Sequence, residues 1–163
     1  MKTTTVLFLL FLLVIGGCKK DEDDNKPANY FSLDESVYAL TKGYLAAGKI
    51  YLMSDGMTIK GLEQNTGNPI YQGTGDLFTI TSISGQNSIV SGSYDLTKIN
   101  GEVYTNFNPA LTTQDYQQVL NTGTGSCAIT LNGLQCTIEV NGTLQDAKAI
   151  VVKFNGQLDE PGK

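Results

Sequence analysis

The chain predicts an all-β fold: an antiparallel β-sandwich or an up-and-down β-barrel of roughly eight to ten short strands, with at most one short helix. Composition is the first ground. Past the leader, Gly, Thr, Ser, Asn and Tyr abound and Ala is sparse, which suits short strands and tight turns better than helices. The second ground is the recurrence of Asn-Gly at positions 100, 132, 141 and 155, the strongest short-range turn signal. The third is alternation: Phe78 and Ile80 fall on one side of their segment, Thr79 and Thr81 on the other.

Residues 29–33 read as the first strand, Asp34-Glu35 as a turn, and residues 37–40 as the return. Residues 49–53 form a further strand, closed by Ser54-Asp55-Gly56. The stretch 61–75, with Asn65, Asn68, Pro69 and several glycines, reads as one long polar loop. Half-buried strand patterning returns at 77–83, a strand is expected at 91–96, and Asn100-Gly101 marks a turn before a strand at 102–107. Residues 108–118 fit either one helical turn capped by Thr112 or Thr113, or a strand. The C-terminal third is clearest, with a hairpin of 127–131 and 134–140 about Asn132-Gly133, a turn at 145–148, and a strand at 149–154. That last strand is bulky on both faces, which places it centrally in a sheet. Internal repeats are not evident, and the sequential hairpins favour a meander over Greek-key crossings.

Absences narrow the chemistry. The chain has no His, no Trp and no Arg. Ser-His-Asp and Cys-His catalysis are thereby excluded, along with the commonest transition-metal ligand and the bidentate fork for phosphate. A formal net charge of −5 argues against a nucleic-acid partner. Asp34, Glu35, Asp55, Asp76, Asp95 and Asp115 all fall at expected turns, where Asp stabilises the backbone, and they form no persuasive pair for glycoside hydrolysis. The expectation is a protein that is not an enzyme, with no cofactor and no metal site.

Cys127 and Cys136 leave two readings open. A two-residue Asn-Gly loop opposes Cys127 to Ile138 and leaves the thiols diagonal, awkward for a bridge; a four-residue loop from Thr130 to Gly133 opposes the two cysteines directly. A disulfide and two small core thiols are equally compatible with the spacing. The eight tyrosines are the remaining resource. Tyr44, beside Gly43, and Tyr71, within the Gly-rich stretch, are expected to be exposed and able to stack on a sugar or pack on a partner.

The leader supplies an address. Lys2, an apolar run over 6–15, and Gly16-Gly17 have the layout of a secretory signal too short to span a bilayer. Ile15-Gly16-Gly17-Cys18 resembles the bacterial lipobox, whose cysteine is acylated and becomes the new N-terminus. At about 0.8 kcal/mol per buried methylene, two or three chains anchor firmly. The charged run Lys19-Lys20-Asp21-Glu22-Asp23-Asp24 is a solvated tether. Cys18, Lys20, Asp21 and Glu22 also resemble the Cys-x-Lys-acidic-acidic export signal of Bacteroidota surface lipoproteins. Residues 29–44 and 125–158 are similar to the small β domains of such lipoproteins, most of which lack an assigned activity.

The expected organisation is a signal peptide over 1–17, a lipidated cysteine and tether over 18–27, and a single β domain over 28–163. The resemblance implies a lipid anchor in the outer membrane and exposure at the cell surface. The expected activity is non-catalytic binding of a glycan or a protein partner, with membrane contact through the lipid alone. The alternative is a lipocalin-like barrel enclosing a small apolar ligand.

Overall fold

The computed structural model describes residues 26–161. The signal, anchor and export-signal assignments at Cys18, Lys19, Lys20, Asp21 and Glu22 lie outside the described residues. None of the described helices is long and apolar enough to cross a membrane.

The expected all-β class holds, in the form of a sandwich. Strands β1 (Tyr30–Leu33), β2 (Ser36–Ala39), β8 (Gly92–Asp95), β11 (Thr124–Asn132), β12 (Gln135–Thr143) and β13 (Ala149–Gln157) build a six-stranded sheet in the order β2-β1-β13-β12-β11-β8. Strands β3 (Lys42–Ala46), β4 (Lys49–Met53), β7 (Gly75–Ile83), β9 (Ile99–Phe107) and β10 (Tyr116–Val119) build a five-stranded sheet in the order β10-β9-β7-β4-β3. A separate hairpin pairs β5 (Met57–Leu62) with β6 (Pro69–Gly73). Among the described residues, helical content is confined to two 3-10 turns, Leu96–Lys98 and Leu120–Thr122.

Alternation decides which side chains meet between the sheets. Phe31, Leu33, Ile129, Ile138, Val140, Ile150, Val152 and Phe154 of the larger sheet pack against Ile50, Leu52, Phe78, Ile80 and Val103 of the smaller one. The two sheets remain separate layers, so the barrel alternative is not the fold.

The chain is not a simple meander. It passes between sheets at β2–β3, β7–β8, β8–β9 and β10–β11. The last two crossings run through the 3-10 turns, which lie against one another and each insert a leucine, Leu96 and Leu120, both 0% exposed. Close approach of the neighbouring strand's backbone, with these leucines packed beside it, accounts for two glycines that are not turns. Asn100-Gly101 and Asn141-Gly142 lie inside β9 and β12. A Cβ on Gly101 would lie 3.0 Å from Leu120 Cδ1 and 2.1 Å from the Thr79 carbonyl oxygen; one on Gly142 would lie 3.1 Å from Leu96 Cδ2.

The C-terminal hairpin forms one residue later than the Asn-Gly signal suggests. Asn132 pairs with Gln135, leaving Gly133-Leu134 as the turn. Positive φ falls at Gly133 (61°) and not at Leu134, the φ pattern of a type II′ turn. Cys127 therefore opposes Val140, and Cys136 opposes Leu131. Four positions of register separate the thiols, roughly 13 Å of strand, and both are free and buried. Neither anticipated register occurs, and the disulfide reading is corrected to two core thiols.

Candidate functional site

The stretch expected to be a long loop is the hairpin β5–β6, and it creates the site. Strand β4 is buried on both faces: Ile50 and Leu52 face the main core, while Tyr51 and Met53 face outward. The hairpin covers that outer face. Met57 and Ile59 of the hairpin are buried with Tyr44, Ala46, Tyr51, Met53, Leu77 and Tyr104 of the sheet, and Leu62, Tyr71 and Phe107 pack around them. Alternation fails in the run 50–53 because neither face of this strand meets water.

Polar contacts fix the hairpin over β3. Lys42 Nζ donates to the carbonyl oxygens of Asp55 and Met57, at 2.9 Å each. Tyr44 and Thr58 share a hydroxyl–hydroxyl hydrogen bond of 2.8 Å. Tyr44 is only 8% exposed, so the expectation of an exposed stacking residue is corrected: its ring belongs to the second core. The glycine beside it signalled tight packing, since a Cβ on Gly43 would meet Leu158 Cδ2 at 2.7 Å.

Tyr71 has a different fate. It is half-buried on β6 and forms one wall of a cleft of about 240 Å³ on the outer face of the five-stranded sheet. Asn68 and Pro69 extend that wall, Tyr51, Leu77, Thr79 and Thr81 form the floor, and Glu102, Tyr104 and Phe107 of β9 stand opposite. The aromatic rings meet edge to face: Tyr51 with Tyr71 at 6.2 Å between centroids, Tyr71 with Phe107 at 5.1 Å, and Tyr104 with Phe107 at 5.1 Å.

Glu102 is the charged group of this lining. Its position on β9 is two residues from Tyr104, on the same face, and Tyr104 lies opposite Gln117 of β10. Tyr104 donates its hydroxyl to Glu102 Oε2. Gln117 Nε2 donates to Glu102 Oε1 at 2.8 Å and to the Tyr104 hydroxyl oxygen at 3.1 Å. Each carboxylate oxygen thus accepts one bond and keeps capacity for another. Burial raises the Tyr71 and Tyr104 hydroxyl pKa values well above the ordinary phenol value. Neighbouring Tyr51 and Glu102 add to the effect at Tyr71, and the bond to Glu102 adds to it at Tyr104. Burial also raises Tyr51. These phenols are therefore neutral donors at physiological pH, and among the described residues the hydroxyls of Tyr51 and Tyr71 bond to no protein group.

A larger concavity of about 470 Å³ lies at one end of the sandwich, lined by Asp34, Glu35, Tyr38, Thr105, Tyr116 and Lys148 among others. Two of its polar groups, Tyr116 and Lys148, are engaged by Asp146. Tyr116 donates to Asp146 at 3.1 Å, and Lys148 Nζ sits 3.6 Å from Asp146 and 4.1 Å from the centre of the Tyr116 ring. The smaller cleft instead gathers four aromatic rings about a carboxylate held by two hydrogen bonds, and it is the better candidate.

Sequence reasoning named Tyr71 but not its company. The pattern marks Glu102, Tyr104 and Phe107 only as residues of the strand at 102–107, and Tyr51 only as part of the strand at 49–53. The unbroken apolar run at 50–53 was the available signal that something covers this sheet. Compared with known proteins, the chain matches no family model, no curated protein and no solved structure.

Proposed function

We propose that this chain is a lipid-anchored, surface-exposed protein of the outer membrane, and that its β domain is a non-catalytic saccharide-binding module. One observation carries the binding part: the β5–β6 cleft joins aromatic walls to a preoriented carboxylate and to tyrosine hydroxyls without protein partners. Sugars present apolar C–H faces and many hydroxyl donors, so they match rings flanked by acceptors. Nothing in the cleft supplies the general acid and base pair that glycoside cleavage needs, since Glu102 stands there without a second carboxylate.

The address rests on Cys18 after its apolar leader and on Lys20, Asp21 and Glu22 beyond it. Placement of the cleft supports display. Lys26, at the start of the described chain, lies 5.8 Å from the centre of the Tyr30 ring on the outer face of the six-stranded sheet. The cleft opens on the outer face of the other sheet, the one opposite Lys26.

A glycan array probed with the full-length chain, followed by staining of intact cells with the selected oligosaccharide, tests both parts. The expected outcome is saccharide binding that Tyr71→Ala reduces by about tenfold or more, as loss of a stacking ring does. Cells carrying Lys20→Ala, Asp21→Ala and Glu22→Ala together should keep the anchor and lose the stain, because acyl chains hold the membrane while the charges act only as a signal. An array without hits would reject the binding reading, and unchanged staining of the triple variant would reject the export signal.

A further inference from the structure

Resting on the saccharide reading, we infer that the sugar taken by the β5–β6 cleft carries a protonated amine: a hexosamine with its amino group free. Three observations converge on this. The cleft lining contains one carboxylate, Glu102, and no cation. The chain has no Arg, and no lysine lines the cleft: Lys42 is committed to the carbonyls of Asp55 and Met57, and the exposed Lys60 of β5 lies outside the lining. An anionic sugar would therefore meet Glu102 with nothing to offset the repulsion.

The second observation is the fixed geometry of Glu102. Tyr104 and Gln117 each bond one of its oxygens, so the side chain is held in place with acceptor capacity still available. A neutral ring seated against the aromatic walls would strip water from that carboxylate and give no charge in return, which is costly. An ammonium group compensates the lost hydration directly and adds a charge-assisted hydrogen bond. The third observation is the aromatic surround. Tyr51, Tyr71 and Phe107 line the same small space, and their rings attract a cation that has left bulk water. A volume of about 240 Å³ suits a single sugar ring more than an extended chain, so the recognised amine belongs to one residue of the glycan.

Isothermal titration of the full-length protein near pH 6 tests this with three probes: a chitosan oligosaccharide, its fully N-acetylated counterpart, and an oligogalacturonate. The expected result is that the free amine binds about tenfold more tightly than the acetylated form, while the galacturonate does not bind. Glu102→Gln should bring the two hexosamines within about twofold of each other, chiefly by weakening the amine; Tyr71→Ala should weaken both. Equal binding of amine and acetamide by the unmodified protein overturns the inference and leaves the saccharide reading standing. Selectivity that survives Glu102→Gln also overturns it, because the preference then comes from net charge elsewhere on this acidic chain. Binding of none of the three, by protein with a native circular dichroism spectrum, removes both the inference and the saccharide reading beneath it.

Discussion

Burial holds Cys127 and Cys136 as inert thiols. It pushes Cys127 up to about 12, with Cys136 adding to the effect, and Cys136 up to about 11. Because the thiolate is the reactive form, neither residue should react below those values while the fold persists. Alkylation with iodoacetamide at pH 8, followed by peptide mapping, should leave both unmodified in the native protein and label both in denaturant. Rapid native labelling of either would contradict the packing of β11 against β12. The sign of the pH effect follows from the same shifts. A thiol held above its unfolded value stabilises the fold fully below that unfolded value, and the contribution is lost as pH rises toward the folded one. Alkaline conditions should therefore expose these residues only together with unfolding.

At the scale of elements, the β5–β6 hairpin depends on its neck. Gly73 has φ of +82°, and a Cβ there would sit 2.0 Å from the Gly56 carbonyl oxygen. Gly73→Ala combines backbone strain with a clash that backbone cannot relieve cheaply. It should cost about 2–3 kcal/mol in denaturant unfolding and abolish saccharide binding by displacing Tyr71. Gly85→Ala is the control: φ is +81° there, yet nothing lies within 4 Å, so only the strain of about 1 kcal/mol should appear. Equal losses in the two variants would refute the neck as a locked element. The same hairpin marks the limit of what the sequence discloses. β1, β2, β4, β7 and β13 carry local signals, namely alternation, β-branched residues and turn residues between them. β5, β6 and the turn between them carry Gly61, Gly67, Pro69 and Gly73 within a polar stretch, and the strands pair because Met57, Ile59 and Tyr71 find an apolar sheet face to cover. That face is assembled from β3, β4, β7 and β9, so its existence is a tertiary fact invisible in the local pattern.

The whole molecule is a sandwich with a third, partial layer. The five-stranded sheet is covered on both faces, by the main core inside and by the hairpin outside. The cleft lies where that cover stops. β6 ends its contact at Tyr71, and the outer faces of β9 and β10, with Glu102 and Gln117, continue past it. This is why the site resisted sequence reading: Tyr71 was identifiable from its position among glycines, but Glu102 and Tyr104 acquire meaning only when β9 is laid beside β7 and the hairpin folds over both. Chemical-shift mapping of the full-length protein with a saturating saccharide chosen from the array tests that placement most directly. The predicted result is a set of perturbations confined to Tyr51, Tyr71, Thr81, Glu102, Tyr104 and Gln117. Perturbations centred instead on Tyr38, Tyr116 and Lys148 at the end of the sandwich, or none at saturation, would contradict it.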